Sequence, residues 1–162
     1  MDTPLNLSSS QKGKVTETLV AATLILASGG RLSPFVPISD DHGIDLIVLD
    51  KQTHRSITVQ VKSAIPNAAR GTVAFDVRKA THSEVPGRYL IAVAFNPATV
   101  ALTASWLMPL SEIALLSTEK PDKYALTPNP SPTSNDRYAR FRQADAKALA
   151  DAVLAAINAE LY

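Results

Sequence analysis

An aspartate inside an otherwise apolar strand is the feature that most restricts what this chain can fold into. The run Gly43-Ile44-Asp45-Leu46-Ile47-Val48-Leu49-Asp50 is nearly continuous in Ile, Leu and Val, the composition of a strand covered on both faces. Two-residue alternation puts Asp45 on the face of Ile47 and Leu49, so a carboxylate enters a partly buried surface. Charge placed there is costly unless it is paired, hydrogen-bonded or bound to a cation. Asp45 is therefore either a strand-start residue satisfied by neighbouring backbone N–H groups or a ligand. The next run, Ser56 to Ser63, alternates cleanly, with Ile57, Val59 and Val61 to one side and Thr58, Gln60 and Lys62 to the other. An amide oxygen and an ammonium thus stand side by side one strand away from the carboxylate.

Upstream, Ser8-x-x-Gln11 has the pattern of a capping box, and a helix is expected from there to Gly29-Gly30. Val15, Leu19, Ala22 and Leu26 form a stripe at helical spacing, widened by Val20, Leu24 and Ile25, which predicts a mostly buried helix. Glu17 falls at the rim of that face. Arg31 to Ile38 is broken by Pro34 and Pro37, which limits it to an edge strand or an extended approach. Downstream, Thr72 to Val77 is a short strand, and one or two helical turns follow before Pro86-Gly87. Strands over Arg88 to Phe95 and Thr99 to Leu107 are joined by a turn at Asn96-Pro97-Ala98, and Pro109 to Leu116 is a short helix. A Pro- and Ser-rich loop over 127–136 precedes a helix from Ala144 to Leu161, whose apolar side carries Leu149, Val153, Ala156 and Ile157. With 46% hydrophobic residues, the chain has side chain enough for one core, so residues 1–162 are expected to form a single α/β domain. The element order predicts a central mixed sheet flanked by helices.

Charge and composition narrow the function. Sixteen Lys and Arg against fifteen Asp and Glu leave a net charge of +1, which excludes a global basic field, so any nucleic-acid contact has to be local. The absence of cysteine removes thiolate metal sites and cysteine nucleophiles, and is compatible with a cytoplasmic setting. The apolar run Leu19 to Ala27 is too short to span a bilayer, so no membrane partner is expected. No Gly-rich phosphate loop and no Ser-His-Asp pattern occurs. His42, after Asp40-Asp41, is read as part of a polar loop, and His54 and His82 have no partner at metal-ligand spacing. Trp106 is read as a packing residue.

Together, Glu17, Asp45, Gln60 and Lys62 suit phosphodiester hydrolysis with a hard cation. Mg²⁺ takes oxygen ligands at about 2.1 Å and needs only one or two protein carboxylates beside substrate phosphate oxygen. Asp45 is the anchor, the Gln60 amide oxygen and the Val61 carbonyl complete the protein ligands, and Glu17 acts directly or through water. Lys62 positions or helps deprotonate the attacking water, or stabilises charge on the phosphate.

The segments Gln11-Lys12-Gly13 with Glu17, Gly43-Ile44-Asp45-Leu46-Ile47-Val48 and Gln60-Val61-Lys62-Ser63 resemble the PD-(D/E)XK nuclease-like superfamily, especially its Holliday-junction-resolvase-like and related bacterial endonuclease-like members. The resemblance implies a restriction-endonuclease-like α-β-β-β-α-β core and a DNA endonuclease dependent on Mg²⁺ or Mn²⁺. It makes Glu17 the helix acid, Asp45 the first-strand aspartate, Gln60 the Asp/Glu position and Lys62 the lysine. Gln60 departs from the pattern, as a neutral amide replaces a carboxylate, and Ile44 stands where the motif has proline. DNA contacts are expected at Lys12, Lys14, Ser63, Arg137 and Arg140, with Arg142 beside them. A homodimer would supply the two sites that two cuts in a duplex require. The departure at Gln60 leaves a second expectation open, a catalytically silent nuclease-fold module that binds nucleic acid or a protein partner.

Overall fold

A computed structural model describes residues 6–39, 42–67 and 69–159. Helix α1 (Ser9–Ala27) begins at the expected capping box: the Gln11 N–H donates to Ser8 Oγ at 3.2 Å and the Ser8 N–H to Gln11 Oε1 at 2.9 Å. It ends before Gly29 and Gly30, both at positive φ. The buried face differs from the expected stripe. Thr16, Val20 and Leu24 are buried, whereas Val15 and Leu19 are half-buried and Leu26 is 81% exposed. Apolar side chains surround this helix on all sides after Leu19, so periodicity alone does not select a face. Thr16 does: its hydroxyl bonds back to the carbonyls of Lys12 and Gly13 and lies 3.1 Å from Ser63 Oγ, pinning the helix to the sheet.

Six strands form the main sheet. They are β1 (Leu32–Phe35), β2 (Leu46–Asp50), β3 (Ser56–Ala64), β5 (Arg88–Asn96), β6 (Ala101–Pro109) and β9 (Arg142–Gln143), in the order β1-β2-β3-β5-β6-β9. Only the β3–β5 pairing is parallel, so the sheet is mixed. The crossover between these two strands carries β4 (Phe75–Arg78) and a single 3-10 turn, Lys79–Thr81. Strand β4 joins a second sheet of order β4-β8-β7, with β7 (Thr118–Glu119) and β8 (Lys123–Leu126). Short helix α2 (Ile113–Leu116) and closing helix α3 (Ala146–Ile157) complete the set, and the proline-rich 127–136 segment is the expected loop. β1 is an edge strand, as Pro34 requires. Lys51 N–H donates to the Arg31 carbonyl, so alternation turns the backbone of residues 32 and 34 outward. Leu32 N–H is taken by Ser28 Oγ at 2.9 Å and Pro34 has none, which blunts the edge against a further strand.

The layers are unequal, and that positions the site. On one face α1 and α3 cover the centre of the sheet: Val20, Leu24, Leu149 and Val153 pack on Leu46, Val48, Val59, Val61, Ile91 and Val93. On the other face the small sheet and α2 cover β5 and β6, burying Leu90, Ala92, Trp106 and Met108 against Val73, Phe75, Val77 and Ile113. Trp106 is in this core, edge-on to Phe75 at 5.8 Å. That second layer stops short of β2, where Ile47 is exposed. The expectation that Gly43 to Asp50 is covered on both faces is thus corrected: helices cover one face, and the other opens to solvent. Among the described residues, no helix is long and apolar enough to cross a membrane.

Asp50, at the end of β2, is a buried carboxylate with five donors. Arg31 grips it through Nε at 2.9 Å and Nη2 at 2.7 Å, and Asn158 Nδ2, Gln52 N–H and Thr53 Oγ1 add bonds of 2.8, 2.9 and 3.1 Å. The Arg31 guanidinium, first among these partners, holds the Asp50 carboxyl far below the usual aspartate range. This cluster ties the exit of α1, the β2–β3 turn and the end of α3 together. Asp50→Asn should destabilise the fold by about 2–3 kcal/mol, below the cost in a wholly buried pair because Arg31 is 33% exposed. The native contribution is whole above about pH 4 and shrinks as pH falls, since the unfolded chain takes up a proton that folded Asp50 refuses. Denaturant titrations of both proteins between pH 3 and pH 7 check this. The gap between them should be widest at neutral pH and close in acid.

Candidate functional site

Five residues that sequence reasoning selected, Glu17, Asp45, Gln60, Val61 and Lys62, line one cavity of about 710 Å³. It opens where β2 begins and the parallel strands β3 and β5 end, so Ala64, Ile65 and Phe95 also line it. In open α/β sheets this end of parallel strands is where ligands bind. The register explains the grouping. Leu46 pairs with Val59 as the last rung of the β2–β3 ladder, and the Asp45 N–H donates to the Val59 carbonyl at 2.9 Å, which holds Asp45 against the Val59–Val61 stretch, while Gln60 and Lys62 share one face of β3. Glu17 arrives from α1 because Thr16, beside it, is bound to β3 through Ser63.

Asp45 ends the β2–β3 ladder with its side chain. Its Oδ2 accepts the Val61 N–H at 2.7 Å, taking the place of a backbone carbonyl. A residue's N–H and C=O leave a strand on the same side, so the Val61 carbonyl also faces the gap beyond the start of β2. The strand-start reading of Asp45 is therefore met at Oδ2, and the residue also lines the cavity. Gln60 is 5% exposed, and its buried Oε1 has no hydrogen-bond partner among the described residues. An orphaned buried acceptor costs about 1–3 kcal/mol, a cost that a water or a ligand in the cavity would relieve. Glu17 is bridged by Lys14 at 2.7 Å.

The cationic residues divide. Lys12 and Lys62 line the cavity, as does Ser63, and Lys14 sits at its rim through Glu17. Arg137 and Arg140 are not among the cavity's lining: Arg140 pairs with Glu112 at 2.6 Å and stacks on Phe141, Arg137 lies over the Tyr138 ring, and Arg142 Nε donates to the Pro130 carbonyl. Sequence reasoning missed Arg78 and Thr81 and set His42 aside, yet all three line the cavity. Nothing local marks Arg78, since it reaches the cavity only through the pairing of β4 in the second sheet. Asp40 and Asp41 lie outside the described residues. Among the described residues, no three His, Asp or Glu side chains are spaced to hold a cation together.

No family model matches the chain, and no curated protein matches it. Among solved structures, a bacterial homing endonuclease, I-Ssp6803I, superposes over 94% of this chain and 99% of its own, with a TM-score of 0.59 and 16% identity. At that identity the fold is what the two share. The chain thus has a nuclease-like α/β core around a mixed sheet.

Gly43 closes the cavity from the loop before β2. Its φ is +70°, and a Cβ there would lie 2.8 Å from Thr81 Cβ and 2.9 Å from Gln60 Nε2. Gly29 has a similar φ of +61° with nothing within 4 Å. Gly43→Ala should therefore cost the left-handed strain of about 1–2 kcal/mol plus displacement of Thr81 or Gln60, whereas Gly29→Ala carries the strain alone. Thermal melts should show the larger drop for Gly43→Ala; equal drops would contradict the close packing.

Proposed function

We propose that this chain is a divalent-cation-dependent endonuclease of the PD-(D/E)XK type that hydrolyses DNA phosphodiester bonds in the cytoplasm. The observation that carries the reading is the shared cavity of Glu17, Asp45, Gln60, Val61 and Lys62, with the Gln60 Oε1 buried and lacking a partner among the described residues. The donor set fits a hard cation, for it consists of oxygens: the Asp45 carboxylate, the Gln60 amide, the Val61 carbonyl and Glu17 at the rim. Mg²⁺ or Mn²⁺ bound by these groups would stabilise negative charge on the phosphate as a Lewis acid. Lys62 orients the attacking water and donates to the phosphate oxygens, and Lys12 and Ser63 hold the backbone of the strand. Lys14 fixes the Glu17 carboxylate at the mouth. Arg137 and Arg140, held on Tyr138 and Glu112 outside the cavity, take no part in this reading, and a homodimer would supply the second site for a duplex cut.

A silent nuclease-fold module is the second reading. It is favoured by the cavity's two carboxylates, Glu17 and Asp45, where a carboxylate at position 60 would supply a third. An amide carries only a partial charge, and hard cations are held chiefly by charge. Wild type should therefore bind Mg²⁺ weakly without DNA, Gln60→Glu should tighten binding, and Asp45→Asn should abolish it, all read by calorimetric titration. In a plasmid-cleavage assay with Mg²⁺, Lys62→Ala should lower the rate about 100-fold or more. If neither substitution at Asp45 and Gln60 moves Mg²⁺ affinity and wild type leaves the plasmid intact, the silent module is the better account.

A further inference from the structure

We infer that Arg78 is a phosphate-gripping residue of the cavity, closing on the DNA backbone from the side of the sheet opposite α1. The inference rests on the nuclease reading above and adds a substrate contact to it. Arg78 is the last residue of β4, and it lines the cavity together with Lys12 and Lys62. Cations among the lining residues outnumber carboxylates three to two, and Glu17 is already bridged by Lys14.

The small sheet singles Arg78 out. Its neighbours are matched in charge: Lys123 binds Asp76 at 2.8 Å and Lys79 binds Glu119 at 2.5 Å. Arg78 is exposed, and its guanidinium has no ion pair or hydrogen bond among the described residues. An unmatched cation beside matched ones, in the lining of a cavity that also holds Lys12 and Lys62, is what a ligand contact looks like before the ligand arrives. Guanidinium is also the group whose planar fork fits two phosphate oxygens at once.

The segment that carries it is held in place. Thr81 Oγ1 donates to the Arg78 carbonyl at 3.2 Å, and His82 N–H donates to the same carbonyl at 3.0 Å. His82 is anchored by Nε2 to the Leu110 carbonyl at 2.8 Å and by an edge contact with Tyr124. The turn is also seated on Gly43 and, through it, beside Gln60. Lys12 comes from the helical face of the sheet and Arg78 from the face of the small sheet. A phosphate at the strand ends is then flanked from both.

Fluorescence anisotropy with a labelled 20-base-pair duplex in EDTA, at several salt concentrations, tests this without cleavage. Arg78→Ala should weaken binding about 10-fold and lower the slope of log affinity against log salt by about one. Arg78→Lys should recover the slope but not the whole affinity, because it keeps the charge and loses the fork. Lys123→Ala, which removes a paired cation across from Arg78 on β8, should bind like wild type. Should Arg78→Ala fail to fold by circular dichroism, Arg78→Lys and Arg78→Gln are compared instead. If wild type binds and the Arg78 variants match it in affinity and slope, the inference is overturned while the nuclease reading stands. If wild type neither binds the duplex nor cuts plasmid DNA with Mg²⁺, the nuclease reading falls and the role of Arg78 falls with it.

Discussion

The hydrogen bond from the Val61 N–H to the Asp45 carboxylate is the contact on which the site's geometry depends. Strand β2 starts at Leu46, two residues past the Ile44 position that the register would set opposite Val61, and the aspartate side chain fills the place. Pairing between strands is thereby replaced by a side chain, and the ladder ends without leaving a buried donor unsatisfied. Everything on the cavity floor follows from that ending. The Val61 carbonyl is turned toward the gap beside Asp45, and Gln60 and Lys62 share one face of β3.

The two ends of β2 each carry an aspartate that accepts backbone N–H groups, with opposite consequences. Asp50 is closed off: a bidentate arginine, an asparagine and a threonine saturate it, and it joins three elements as a structural knot. Asp45 lines an open cavity at the step where the second layer ends. That step exists because the small sheet covers β5 and β6 but not β2. The same chain segment that makes the step, β4 and its 3-10 turn, also supplies one wall of the cavity through Arg78 and Thr81.

Much of this was legible in the sequence, for identifiable physical reasons. The capping box at Ser8 and Gln11, the alternation of β3 and Pro34 of β1 are local signals, and local geometry obeyed them. That Gln60 and Lys62 share one face follows from two-residue periodicity, and Asp45 joins them in one cavity where the β2–β3 ladder ends. What escaped was non-local. Strands β7 and β9 are two residues each, too short to show a period, and β8 exists through its partners. The face of α1 was chosen by a buried threonine, which a count of apolar residues ranks low. Arg78 looked like any strand-end arginine until the second sheet carried it to the cavity.

The oxygens of Asp45, Gln60 and Val61 are the proposed cation site. Anomalous diffraction from crystals soaked in Mn²⁺ addresses it directly. One peak is expected at coordination distance, about 2–2.3 Å, from the Asp45 carboxylate and the Gln60 amide oxygen. A map with Mn²⁺ bound elsewhere, and none between these residues at saturating concentration, would contradict it.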